Sequence, residues 1–280
     1  MTRKLVLSIA AVLLQGSVWA QTPVGTAQTP AQEEKPGIER REEPFLVELG
    51  GFTNFVNNDY GRWSGANAKV MYRGAKHFAP ILGFASQTRP AGSQVTFGLD
   101  SYILVSKWFY AIAGIGGSPA GSAVLWPKLR YGATGMITIP RVQGLVGTVG
   151  ASKIDGERGS YGRILNAGAL YYRGQAIWSG YVSFNRNYPG ALPSKAGGVA
   201  VQYGAEKKYW IGGGITGGRI AYQTISLTPL DVRFVTFGPN AFYSRWLSRN
   251  RGFTVRYDYQ DQLDAYQRHG IALSIFFELP

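Results

Sequence analysis

A chain of 280 residues with no cysteine and a formal charge of +13 cannot hold a disulfide framework, a thiolate metal site or a cysteine nucleophile. Its 38 glycines exceed the average usage of about 7% and are spread through the chain rather than gathered in a G-X-Y repeat or a Gly/Ser linker, which favours β-structure over helix. The basic excess implies anionic surroundings, and no nucleic-acid-binding motif accompanies it, so nucleic acid is not an expected partner.

The opening MTRKLVLSIAAVLLQGSVWAQ has basic residues at Arg3 and Lys4, an apolar run from Leu5 to Leu14, and Val18 and Ala20 at the positions a signal peptidase reads. Residues 1–20 therefore read as a signal peptide, cleaved between Ala20 and Gln21. An apolar core this short does not span hydrocarbon, which needs roughly 20 residues, and no later stretch approaches that length. Losing Arg3 and Lys4 leaves a mature charge of +11 (13 minus 2), read as surface and lumen charge facing anionic lipopolysaccharide. Residues 21–43 are rich in Pro, Gln, Thr and Glu without an apolar period, and they read as a disordered periplasmic tail.

From 44 to 280 the chain is a succession of short segments with a period of two. Phe45, Val47, Leu49 and Gly51 oppose Glu48, Gly50 and Asn54; then Ala66, Ala68, Val70 and Tyr72 oppose Asn67, Lys69 and Arg73. Val95, Phe97 and Leu99 oppose Gln94, Thr96 and Asp100, and Leu129, Tyr131, Ala133 and Ile137 oppose Arg130, Thr134 and Thr138. Ala176, Trp178, Gly180 and Val182 oppose Ser179 and Ser183, and late in the chain Phe253, Val255, Tyr257 and Tyr259 oppose Thr254, Arg256, Asp258 and Gln260. About fourteen such segments are counted, joined by connections that alternate strictly between short and long. RGAK, VSK, PRVQ, RGQ and EKK are the short ones; NNDYGR, RPAGS, GGSPAGSA, KIDGERG, RNYPGALPSKAG, the stretch around AYQTISLTPLD, and DQLDA are the long ones.

That alternation is expected of a barrel with both termini in the periplasm, short turns on that side and long loops outside. Phe45, Tyr72, Trp108, Tyr172, Trp210, Trp246 and Phe277 would form the periplasmic aromatic girdle, and Trp63, Phe84, Trp126, Tyr161, Phe184 and Tyr266 the outer one. Lipid offers no hydrogen bonds to an open sheet edge, so a membrane chain without spanning helices has to close its sheet. The expected fold is thus all-β: an antiparallel up-and-down transmembrane β-barrel of 12 to 14 strands, in the outer membrane of a Gram-negative-type cell.

Several pieces resemble the YaiO family of outer-membrane β-barrels: VELGGFTNFVNNDYGRW, LDSYILVSKWFYAIAGIG, WPKLRYGATGMI, YYRGQAIWSGYVSF and KKYWIGGGITGG. The resemblance implies location and fold and transfers no catalytic residue. The closing HGIALSIFFELP, with Gly270, Leu273, Ile275 and Phe277 in step, looks like a barrel assembly signal, although it ends on Leu279 and Pro280 rather than on an aromatic.

Chemistry-bearing motifs are few. His77 has no acidic neighbour, and His269 is separated from Ser274 by an odd number of positions, which puts the two on opposite faces of a strand; Glu278 is also on that strand. No G-x-S-x-G elbow, H-E-x-x-H helix or phosphate loop is present. No catalytic residue, metal site or cofactor is therefore expected, and an outer-membrane lipid-modifying or hydrolytic enzyme stands as the alternative. The candidate functional residues are the charges on the inward parity: Glu48, Lys69, Arg73, Asp100, Lys128, Arg130, Arg256 and Asp258. They either pair and plug the lumen or line a water-filled path. The expected role is a channel-like or structural surface component, with passage of surface polysaccharide as its candidate task. The expected partners are outer-membrane lipid, lipopolysaccharide, the barrel assembly machinery and polysaccharide.

Overall fold

The computed structural model describes residues 43–90, 92–119, 128–156, 159–188, 190–221, 233–263 and 265–280. The segment read as a signal peptide, its expected cleavage site and nearly all of the expected 21–43 tail lie outside the described residues, as does Trp126. The described chain forms fourteen strands: β1 (Phe45–Val56), β2 (Gly61–Tyr72), β3 (Phe78–Arg89), β4 (Gly92–Ser106), β5 (Phe109–Gly117), β6 (Leu129–Thr138) and β7 (Leu145–Asp155), followed by β8 (Tyr161–Arg173), β9 (Ala176–Tyr188), β10 (Leu192–Ala205), β11 (Tyr209–Ala221), β12 (Arg233–Ser248), β13 (Arg251–Gln262) and β14 (Tyr266–Leu279). Each pairs antiparallel with its chain neighbours, and β1 pairs with β14 from Phe45↔Leu279 to Val56↔Arg268, closing the barrel. Closure leaves no unpaired sheet edge, which is the condition for a sheet to sit in hydrocarbon.

The period of two becomes an inside and an outside. On β1 the odd positions face out and the even ones in, with Leu49 and Phe55 exposed and Leu46, Glu48, Asn54 and Val56 buried. On β13, Val255 and Tyr257 are exposed while Thr254, Asp258 and Gln260 are buried. The outer surface is apolar all round, with Leu82, Val149, Leu165 and Val199 each more than 60% exposed. A soluble protein does not present such a continuous apolar belt to water. On β14 the outward set is Leu273, Ile275 and Phe277, whereas Gly270 falls on the inward side with Ser274, so those four residues are not in step.

The tight turns follow local chemistry. Asn58 and Asp59 both adopt left-handed φ (53° and 63°), a conformation short polar side chains tolerate, and they reverse the chain between β1 and β2. Gly174, at φ 60°, does the same between β8 and β9.

The expected strict alternation of loop lengths does not hold. The two longest connections, 118–128 and 222–232, are indeed both at the end away from the termini, yet 90–91 and 189–191 at that same end are short. The RNYPGALPSKAG stretch is mostly strand: β9 runs to Tyr188 and β10 starts at Leu192, because the strands continue past the apolar band with polar residues. The orientation rests on the two long connections, which by the general pattern of these barrels are extracellular. A tag inserted within 222–232 should be labelled on intact cells, and one at Gly174–Gln175 only after the cells are opened; the reverse labelling would invert the barrel.

Candidate functional site: the barrel interior

The end of the lumen beside the termini is filled by apolar side chains from strands all round the barrel. Leu46, Met71, Tyr102, Met136, Val146, Leu170, Ile177, Trp210, Trp246 and Phe276 form one buried cluster, with Tyr110, Tyr172 and Phe242 packed against it. Trp210 and Met136 are 1% exposed, so water does not reach them from the lumen. Trp246 meets Phe276 edge-on at 4.9 Å. The indole nitrogens of Trp210 and Trp246 have no hydrogen-bond acceptor among the described residues, so packing alone holds those two rings.

This overturns part of the expected girdles. Tyr172, Trp210 and Trp246 point inward into this layer, and Trp63 and Tyr266, each 2% exposed, point inward at the opposite end. Phe45 and Tyr72, with ring centroids 5.1 Å apart, and the exposed Trp108 do face out at the terminus end, and Tyr161 and Phe184 do so at the far end, joined there by Tyr188, which the expected girdle did not include. At the far end Trp63, Tyr266 and Tyr60 cluster beneath the β1–β2 turn, with Arg89 4.0 Å above the Trp63 ring.

Between these two layers the charged groups gather on β13, β14, β1 and β2. Glu48 accepts a hydrogen bond from Ser274 Oγ at 2.7 Å and is 3.0 Å from Lys69 Nζ, its register partner on β2. Asp258 pairs with Arg268 at 2.9 Å, and Arg256 is within electrostatic range of both Glu48 and Asp258. Farther round the wall Asp100 and Arg130 approach to 3.8 Å. Arg73 sits just past β2, donates to the Glu43 carbonyl at 3.1 Å and lies 3.6 Å from Glu278, which Lys207 also contacts. Lys128 is the exception: it is exposed in the bend preceding β6, outside the wall. Arg268, Glu278, Lys207 and Arg89 were absent from the sequence-derived set. Parity on β14 was the available signal for Arg268 and Glu278, since both fall in step with Ser274.

The remaining wall is built from glycine and small polar residues. Inward glycines leave room for large inward neighbours to lie flat: a Cβ on Gly212 would come within 2.6 Å of the Phe242 ring, and one on Gly65 within 2.5 Å of Phe52. Gln94, Thr148, Asn166, Ser183, Ser194 and Gln202 supply buried amide and hydroxyl groups on the same inner face. Neither histidine joins the interior. His77 lies in the turn before β3, and His269 faces out with Nδ1 2.8 Å from the Tyr257 hydroxyl, on the opposite face from Ser274.

The model of the YaiO membrane beta barrel domain matches residues 47–223, from β1 through β11. The chain belongs to the YaiO membrane β-barrel family. The YaiO-family match covers more than half of the chain; β12 to β14, which carry much of the charged wall, fall outside it while completing the same barrel. Among solved structures this YaiO-family barrel is similar to the CymD monoaromatic hydrocarbon channel, with TM-score 0.57 and 9% identity over 85% of this chain and 89% of that one. It is also similar to a bacterial polysaccharide outer membrane secretin, with TM-score 0.57 and 6% identity over 86% of this chain and 100% of that one. At such identities the likeness is one of fold. No curated protein matches the chain. Family and fold together place the protein in the outer membrane, as a barrel with a channel among its fold neighbours.

Proposed function

We propose that this YaiO-family barrel passes a saccharide polymer of the cell surface through its lumen, and that the apolar layer at the terminus end holds the passage shut until it is displaced. The observation carrying this reading is the two-part interior, a polar, glycine-lined wall above a dry apolar floor. Charges on the wall are paired, as in Glu48 with Lys69 and Asp258 with Arg268, so the wall suits a hydroxyl-rich chain better than a free ion. Amides and hydroxyls match sugar hydroxyls, and aromatic faces match the apolar faces of sugar rings. The two similar structures, a hydrocarbon channel and a polysaccharide secretin, accord with such a role.

Planar-bilayer recording tests it. The unaltered protein should stay closed, and Trp210→Ala combined with Trp246→Ala should produce discrete openings that a neutral oligosaccharide blocks reversibly. A steadily conducting unaltered protein, or a folded double variant that stays silent, would remove the floor from the mechanism. Openings that no oligosaccharide blocks would remove the saccharide. Fatty-acid release from lipid in the same preparation would favour the enzyme alternative.

A further inference from the structure

Independently of what crosses the lumen, the outer surface carries a basic row that the fold itself does not explain. The register of β6 through β10 aligns Tyr131, Lys153, Arg163, Arg186 and Pro193 directly opposite one another, all on the outward parity. Three cations from three successive strands thus face each other across the sheet, an arrangement that destabilises it unless something anionic answers them. Among the described residues Lys153 has one ion pair, with Asp155 at 2.8 Å, whereas Arg163 and Arg186 are exposed and have none. Lys195 lies one row nearer the terminus end, opposite Phe184.

The row's level matters as much as its charge. Toward the terminus end the same face becomes apolar, with Leu165, Val182 and Val149 exposed. Toward the rim, Tyr161 and Tyr188 stack at 4.4 Å between centroids, and the Arg163 guanidinium lies 5.7 and 5.8 Å from the two rings. Tyrosines of this kind sit at the headgroup level of a bilayer, with the ring in the apolar zone and the hydroxyl wet. The cations are therefore at the height of lipid headgroups, at the end whose long connections put it outside. Paired guanidiniums bind phosphate oxygens in a fork geometry that an ammonium does not reproduce.

We propose that the outward face of β7 to β10 is a docking surface for a phosphorylated, multiply acylated glycolipid of the outer leaflet, the lipid A type. Arg163, Arg186 and Lys153 hold its phosphates, and acyl chains lie along Leu165 and Val182. Charge complementarity and height select this occupant over a second copy of the chain, whose same face would bring like charges together.

The test uses the full mature chain refolded in detergent, with retained lipid counted by native mass spectrometry after exposure to lipid A, dephosphorylated lipid A or phosphatidylglycerol. Bisphosphorylated lipid A should be retained at least tenfold more strongly than either of the others. Arg163→Gln with Arg186→Gln should abolish that preference. The charge-matched pair Arg62→Gln and Arg219→Gln, outward near the same rim on other strands, should preserve it. Heat-modified gel mobility reports whether each variant has folded, and the three-lipid comparison on the unaltered protein stands even if a variant has not. Equal retention of dephosphorylated lipid A or of phosphatidylglycerol would overturn the proposal. So would equal loss in both variant pairs, or a lipid-free dimer that Arg163→Gln with Arg186→Gln dissolves.

Discussion

Arginine in place of Val255 should lower the stability of the folded barrel by roughly 2 to 4 kcal/mol, the cost of a charge facing hydrocarbon near the bilayer midplane. Val255 is 40% exposed on the outer face, opposite Leu273 on β14 and Tyr243 on β12. From the alternation alone, arginine at the adjacent Thr254 would cost much less if the lumen is wet, because that side chain points inward, where water or Asp258 can solvate it. The packing changes that expectation. Thr254 is 8% exposed, donates to Ser244 Oγ at 2.9 Å and stands opposite Ser274, so there is little room for a guanidinium. Thr254→Arg should therefore cost about 1 to 3 kcal/mol through overpacking, for a physical reason different from the one at Val255. Reversible folding titrations into lipid vesicles read both. Thicker bilayers should deepen the Val255→Arg penalty and leave the Thr254→Arg penalty unchanged, and a thickness dependence at Thr254 would mean that the strand faces the other way.

Removing the Glu48 carboxylate should have a still larger effect. Glu48→Ala leaves Lys69, whose side chain is only 12% exposed, without its counter-charge, and leaves the Ser274 hydroxyl without its acceptor. Breaking a buried pair from one side costs about 3 to 5 kcal/mol, chiefly because the orphaned charge stays buried. Replacing both members, Glu48→Leu with Lys69→Met, should recover part of that loss, since the buried Lys69 charge is removed while Ser274 still lacks its acceptor and Arg256 still loses the Glu48 charge. The same vesicle titrations measure it. A loss under about 1 kcal/mol for Glu48→Ala would mean that water reaches Lys69 and that this part of the wall is wet.

How much of this was legible in the sequence depends on where alternation is clean. In the middle of β1, β2 and β13 an apolar residue on one parity faces a polar one on the other, and the facing of Glu48, Lys69, Arg256 and Asp258 followed directly. At strand ends the contrast disappears. Around Trp210 the chain reads Tyr209, Trp210, Ile211, so hydrophobicity does not say which ring turns inward; only closure of the barrel decides it. The floor was invisible for that reason. Loop lengths were misjudged because residues such as Asn187, Pro193 and Lys195 have turn-like or charged character yet lie in strands that extend beyond the apolar band. Partners such as Asp258 with Arg268 join different strands, and their meeting depends on register, which composition does not encode.

The seam where β1 meets β14 has a kinetic consequence. Every other strand pairing joins chain neighbours through a single connection, whereas the Ser274 to Glu48 contact spans 226 residues. Hairpins form early because their loops are short; the seam has to bring the two ends of the whole sheet together, and contacts so distant in sequence are slow to form. Until that happens the sheet carries two raw edges with apolar outer faces, the form in which strands stick to other strands. The lifetime of that open sheet is therefore governed by residues at the two extremities of the barrel, so sequence changes in β1 or β14 should govern how fast the protein matures even where they leave the finished barrel equally stable.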